Sequence, residues 1–404
     1  MMKAAGSLPE VIFIGEFPFP YGSAASNNLR GHCRALRTAG FSVGLLPRSG
    51  DPEGEAETEG SYGGMPYWQI RRSPPGPRYL RVMRSYLSLD DNKIDWLRRR
   101  RLAGVKAVIV YPALIGVSAF LLRLRRLCRQ NRVPILSYIV EWHESRHIRT
   151  PYRWLTIGDN AFQVRSLNRL LDGTICISTY LRSYYARKGQ RAICIPPLLD
   201  LSEPKWEAGP GCEKSDGGKR LRLLFCGAPD RDRHDLMLRA VLKMRQSGHD
   251  ISIEYLGSAR DQVAKLFGKG DDLLDSLGDG VHFHGRVLEE QVARVMRSAS
   301  FGVLLREEAR WSKSCFPSKV PEFSALGVPM LCNLSSDLGS YLKDGQNSIL
   351  VPEISVEGFH FALQKAVRLG ADAYHSMSDQ AKEMARTFDG AAWADSYREL
   401  LNGR

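Results

Sequence analysis

The chain of 404 residues has no C-x-x-C pair and no close-set group of His and Cys. Its eight cysteines (Cys33, Cys128, Cys176, Cys194, Cys212, Cys226, Cys315 and Cys332) are scattered, which excludes a zinc module or a redox dithiol by spacing. Cys176, Cys226 and Cys332 lie inside apolar runs and read as small core residues in a reducing compartment. No apolar run approaches the roughly 20 residues that a membrane-spanning helix needs. The N-terminus has one Lys, then Gly, Pro and Glu before a short apolar run, which is not the pattern of a signal peptide. G-x-G-x-x-G is missing, so a dinucleotide fingerprint is not supported. No basic stretch with stacking aromatics marks a nucleic-acid module. Acid is in deficit: 44 Asp and Glu face 57 Lys and Arg, a net charge of +13. A surplus of that size calls for an anionic partner. The expectation is a cytoplasmic protein, free or peripheral to the inner face of the cell membrane, with no metal and no resident cofactor.

What the chain does have is an alternation of short apolar runs and helical spacings. Its length suits two or three domains. Val11–Gly15 reads as a buried strand, and a loop of small residues follows. Ala25, Leu29, Cys33, Leu36 and Ala39 then recur at helical spacing, closed by Gly40 before a second strand at Phe41–Leu46. Further strands are expected at Val108–Val110, Ile135–Val140, Thr174–Ile177, Leu221–Cys226, Ile251–Leu256, Val281–Phe283, Phe301–Leu305, Val328–Cys332 and Ile349–Val351. Strand–helix alternation of this kind predicts α/β units with doubly wound parallel sheets. Residues 51–66, acidic and Gly-rich, read as a mobile loop, and 201–219 as a Pro/Gly/charged linker. The expected domains are 1–200 and 220–387, with 388–404 packing back on the first through Trp393 and Tyr397.

In such sheets ligands gather at the carboxyl ends of the strands. Gly15, Gly22 and Ser23 fall there, as does Glu141-Trp142-His143-Glu144. Glycines could equally serve a plain turn, and a His could be structural. Gly227, Arg231 and Arg233 follow the strand 221–226 ahead of a helix, where free N–H groups and guanidinium groups suit a diphosphate; Asp232 or Asp235 could equally just sit in that helix's first turn.

The densest stretch is Arg306–Pro329, REEARWSKSCFPSKVPEFSALGVP. It reads as a polar loop, then a helix beginning near Pro317 and capped by Ser318, closed by Gly327. Lys319 and Glu322 share its first turn. The helix dipole alone would favour an acid there. A carboxylate also suits a ribose diol, which offers it two hydroxyl donors.

FPSKVPEFSALGVPM resembles the carboxy-terminal signature of glycosyltransferase family 4, P-[ST]-K-x-x-E-[YF]-x-A-x-G-x-P. Ile177–Leu181, Ile195–Leu198, His284–Val287 and Gly345–Asn347 are also similar to family elements. The resemblance implies a GT-B fold, two Rossmann-like domains facing a cleft. It implies a retaining transferase with a nucleoside-diphosphate sugar on the second domain, no metal, and Glu322 on the ribose. Arg233 and Lys319 would then hold the diphosphate, Arg286 and Val287 would lie at the nucleobase, and His143 with Glu141 would lie near the sugar or acceptor. Many members carry a second Glu where this chain has Ser314, and Glu307 and Glu308 are out of register with it.

Basic residues interleave with apolar ones at Arg71–Arg101 and again at Leu121–Arg129. That pattern suits an anionic membrane surface, and equally a solvated basic face on a core helix. It favours a lipid-linked or polysaccharide acceptor, and no nucleic acid. Two other readings stay open, a GT-B nucleotide-sugar epimerase and a non-enzymatic basic binding protein. The first would convert a donor with no acceptor present; the second would show salt-sensitive DNA binding without nucleotide affinity.

Overall fold

A computed structural model describes residues 8–47, 57–70, 92–111, 117–144, 153–207, 220–268 and 270–402. The chain divides into two compact units, Met1–Leu198 with Gly390–Arg404, and Leu199–Asp389.

Unit 1 is a sheet flanked by helices. In chain order it contains β1 (Val11–Gly15), α1 (Ala24–Thr38), β2 (Val43–Leu46), β3 (Glu57–Tyr62), β4 (Met65–Ile70), α2 (Lys93–Arg100), β5 (Ala107–Tyr111), α3 (Val117–Gln130), β6 (Ile135–Ile139), α4 (Arg153–Arg165), β7 (Gly173–Cys176), α5 (Thr179–Ala186) and β8 (Ala192–Cys194). Every residue of β1, β2, β6 and β7 is buried, as apolar runs covered on both faces must be. The sheet order is β3-β4-β2-β1-β5-β6-β7-β8. From β1 the chain steps outward to β2 and β4, then returns across β1 to β5 and onward, so the order reverses between β1 and β5.

Residues 57–66, expected as part of a mobile loop, belong instead to an antiparallel hairpin of β3 and β4, which adds β4 in parallel to β2. Gly63 and Gly64 turn it at φ +55° and +77°, the conformations a two-residue hairpin turn needs. Met65, Trp68 and Ile70 bury its inner face. Residues 51–56 lie outside the described residues, as do 71–91 of the basic stretch and 208–219 of the expected linker. In α3, Leu121, Leu124 and Leu127 are buried while Arg126 and Arg129 are exposed, so this helix has a core side and a basic face.

Unit 2 runs β9 (Leu221–Cys226), α6 (His234–Gln246), β10 (Ile251–Leu256), α7 (Arg260–Ala264), α8 (Leu273–Leu277), β11 (Val281–Gly285), α9 (Glu289–Arg297), β12 (Phe301–Leu304), α10 (Arg310–Ser314), α11 (Lys319–Ala325), β13 (Met330–Cys332), β14 (Ser348–Leu350), α12 (Val356–Arg368) and α13 (Ala371–Ala385). Its all-parallel sheet has the order β11-β10-β9-β12-β13-β14 and reverses between β9 and β12. The polar loop expected after β12 contains the short helix α10, whose Trp311 is buried.

The chain ends in α14 (Ala394–Asn402), which packs on α1 of unit 1. Tyr397 is fully buried and its hydroxyl meets His32 Nδ1 at 2.6 Å. Trp393 closes a separate turn ahead of α14 and is only partly buried, so Tyr397 rather than the pair is the buried anchor. A Cβ on Gly390 would lie 2.0 Å from the Gly31 carbonyl oxygen, so α1 admits only glycine there.

Candidate functional site

In unit 2 the reversal point brings together the loops after β9 and β12. Gly227 leaves β9 at φ +133°, and a Cβ there would meet nothing within 4 Å. Glycine is needed for its backbone conformation, not for space. After one turn at Pro229–Arg231, Asp232 turns toward β12 and accepts from the Leu305 N–H at 3.1 Å, while the Arg233 N–H donates to the Leu305 carbonyl at 2.8 Å. Arg306 Nε lies 3.5 Å from the Asp232 carboxylate. Burial pushes Asp232 up from the usual carboxylate range, against the pull of Arg306. Asn333, after β13, exchanges two 2.8 Å bonds with the Arg306 backbone. The Asp232–Arg306–Asn333 brace joins segments far apart in sequence, and no local pattern announced it.

Arg233 chelates Asp235 through Nε and Nη2, at 2.9 and 2.7 Å, and Nη1 reaches Glu307 at 3.4 Å. Its side chain is 36% exposed, and the Asp235 bonds raise its pKa beyond the arginine range. Glu322 is buried in the first turn of α11, 2.5 Å from Lys319 Nζ. Burial would lower the Lys319 pKa, but Cys226 and Glu322 together raise it above the lysine range. Burial pushes the Cys226 thiol up from its ordinary value, while the Lys319 ammonium beside it pulls the other way. Cys226, Lys319 and Glu322 thus meet at the end of β9.

Ser318 does not cap α11. Its φ and ψ, −60° and −17°, are already helical and its side chain makes no cap bond, because capping needs an extended residue reaching back. Ser314 is fully buried and donates to the Trp311 carbonyl at 3.0 Å, inside its own helix. Arg231 lies in the loop turn near Asp232. Arg286, exposed, and Val287, half-buried, follow β11, two strands along the sheet from β9.

In unit 1 a Cβ on Gly15 would sit 2.2 Å from the Tyr111 carbonyl oxygen, so the approach of β5 accounts for this glycine. Its own carbonyl accepts from Lys93 Nζ at 2.8 Å, and Lys93, buried, pairs with Glu16 at 2.7 Å. That pair had no local sequence signal. Gly22 is exposed at φ +109°, and Ser23 caps α1 by accepting from the Ser26 N–H at 3.4 Å. Beyond β6, His143 Nδ1 lies 3.2 Å from Glu141, both side chains largely covered, and the His143 N–H donates to Asn160 of α4 at 3.1 Å. Trp142 packs edge-on against Tyr184. The structure therefore brings Glu141 and His143 together at a strand end, and Arg233, Lys319 and Glu322 to the loops around the unit 2 reversal.

Residues 220–368 match the family model described as glycosyl transferases group 1. Among solved structures, sucrose-phosphate synthase from Thermosynechococcus elongatus is similar with a TM-score of 0.70 at 16% identity, over 98% of this chain and 100% of that one. HepE from Anabaena, in complex with UDP and glucose, gives 0.67 at 10% identity, over 98% and 100%. A UDP-forming α,α-trehalose-phosphate synthase from Burkholderia vietnamiensis gives 0.67 at 12% identity, over 98% and 97%. No curated protein sequence matches. At these identities the likeness shows the fold: the chain has the GT-B fold of two Rossmann-like units.

Proposed function

We propose that this protein is a retaining, metal-independent glycosyltransferase of the family 4 type, which moves a hexose from a nucleoside-diphosphate sugar to a lipid-linked or polysaccharide acceptor in cell-surface glycan assembly. An anionic membrane surface is the second proposed partner, met from the cytoplasmic side. The observation that carries the reading is the set of cations around the unit 2 reversal: Arg231, Arg233, Arg306 and Lys319 on the loops and helix start beside β9 and β12. The glycosyl transferases group 1 match over the same unit supports it.

Cleavage of a sugar–diphosphate bond leaves negative charge on the departing phosphate. Cations already in place stabilise that charge without reorganising as it develops. Arg233 would give up Asp235 and Glu307 for phosphate oxygens. Lys319 would likewise exchange Glu322 for phosphate, freeing that carboxylate to accept from the ribose diol. Gly227 lets the chain pass close to the diphosphate, and Arg286 and Val287 would meet the base. In unit 1, Glu141 would hold Nδ1–H of His143, which leaves Nε2 as an acceptor for a sugar or acceptor hydroxyl. Gly22 and Ser23 on unit 1, and Ser314 and Ser318 on unit 2, would each shape a wall of their own unit rather than carry charge, while Gly15 serves the approach of β5.

The neighbours' UDP makes UDP-sugars the first ligands to try. A thermal-shift panel of nucleotide sugars should find one that raises the melting point, since a ligand of the folded state stabilises it. For that ligand, Glu322→Ala should weaken binding by about a hundredfold, the loss of two charge-assisted hydrogen bonds. Calorimetry giving wild-type affinity for a folded Glu322→Ala protein would remove Glu322 from the site.

A further inference from the structure

The helix α4 is built inside out. Beside Val164 it buries Thr156, Asp159, Asn160 and Gln163, and it exposes Trp154, Leu155 and Phe162 at 65%, 47% and 50%. Trp154, Gly158 and Phe162 recur one turn apart and Arg165 continues the same exposed stripe, so the apolar residues form one face. The buried polar face has its own work: Asp159 accepts from the Ser118 N–H at 3.3 Å and Asn160 from the His143 N–H at 3.1 Å. An amphipathic helix packed on a core normally turns its apolar side inward. Here Trp154, Leu155 and Phe162 of the apolar side are exposed.

The neighbouring charge narrows what would cover them. Helix α3, joined to α4 through Ser118, exposes Leu122 at 46% together with Arg126 and Arg129, and it contains no acid. Arg125 of α3 donates to the Leu170 carbonyl at 2.8 Å, and Leu170 is 48% exposed beside Arg169. The only acid of α4, Asp159, is buried. The face thus combines a Trp, a Phe and leucines with arginines, and neither helix offers an exposed acid.

We infer that the α3–α4 face is the docking surface for an anionic lipid bilayer, with Trp154, Leu155 and Phe162 entering the headgroup boundary and the arginines on lipid phosphates. Trp and Phe beside guanidinium groups match that boundary, where one side of a helix is apolar and the other is wet and negatively charged. This rests on the membrane partner proposed above and assigns it a place on the molecule.

The test is co-sedimentation of the full chain with vesicles of phosphatidylcholine alone or mixed with phosphatidylglycerol. Binding is expected to the mixed vesicles only, weakening with salt. The triple variant Trp154→Ser, Leu155→Ser, Phe162→Ser should partition about tenfold more weakly at an unchanged melting point, because the residues replaced are exposed. Arg126→Glu with Arg129→Glu, on the other helix, should weaken binding similarly, and it keeps the inference testable if the triple variant fails to fold. Wild-type binding that both variants retain overturns this face and leaves the membrane partner standing. No binding by the wild type overturns both. A wild type that is dimeric by sedimentation, and monomeric in the triple variant, assigns the face to a second copy and also overturns it.

Discussion

The two units share the order of their central strands and differ in what lies where that order reverses. Between β9 and β12 the loops gather Asp232, Arg233, Arg306 and Glu307, with Lys319 and Glu322 close by. Between β1 and β5 the described residues bring aromatics together, Phe17 against Tyr111 and Tyr111 against Tyr138, each edge to face, with the pair Lys93–Glu16 close by. The same topology therefore marks two places, and the loops give them different chemistry. One is a cluster of cations each paired with an acid, the set that the proposed function assigns to a diphosphate. The other, among the described residues, is richer in aromatic rings, with Glu141 and His143 at the end of the next strand. Topology chooses where a site can be, and side chains choose what it does.

One feature is common to both units and gives the largest expected effect. His32 on α1 and His234 on α6 are buried beside a tyrosine hydroxyl, Tyr397 at 2.6 Å and Tyr255 at 3.0 Å. Burial holds both imidazoles neutral, with pKa values pushed from 6.5 down to about 3. In the unfolded chain each takes a proton below its ordinary value. Stability from each is therefore complete above pH 6.5 and is lost as pH falls toward 3. At about 1.4 kcal/mol per pH unit, each should cost about 3 kcal/mol by pH 4. Urea midpoints between pH 7.5 and 4 should fall steeply, and His32→Gln or His234→Gln should each flatten the fall. A slope untouched by either variant would break the parallel between the units.

The contrast in ligand chemistry is sharpened by a pair of acids. Glu322→Ala should cost nucleotide affinity, as above, whereas Glu141→Ala should leave it within a few-fold and lower turnover instead, by about a hundredfold, through a His143 no longer held in one tautomer. Equal losses of nucleotide affinity in both would mean that the division of labour is wrong.

Smaller effects separate the two glycines that follow the first strands. Gly15→Ala drives a Cβ into a backbone carbonyl and should destabilise by about 2 kcal/mol with nucleotide affinity unchanged. Gly227→Ala has room but must hold φ +133°, so about 1 kcal/mol is expected, together with weaker nucleotide binding. Denaturant melts and calorimetry on the same samples give both readings.

The strands were legible because parallel strands covered on both faces are unbroken apolar runs, as in Val11–Gly15 and Phe301–Leu304. The hairpin of β3 and β4 was not, because Glu57–Tyr62 is largely exposed and its acidic, Gly-containing sequence looks like a loop until Met65, Trp68 and Ile70 bury the partner strand. Lys319 and Glu322 were readable as a pair because three residues along a helix brings two side chains to one face. Ser318 was misread as a cap because composition marks helix starts without reporting backbone angles.

By itself, then, the sequence determined the alternation of strand and helix, the basic balance, and the placing of Lys319 with Glu322 in one helical turn and of Glu141 with His143 at one strand end, since all of these rest on neighbours a few residues apart. Only the tertiary structure decided that Asp232 braces Arg306, that Lys93 reaches the end of β1, and that α4 turns its apolar face outward. Each of those depends on which distant segments the folded sheets bring side by side, and hydrogen bonds, ion pairs and burial respond to distance in space rather than along the chain.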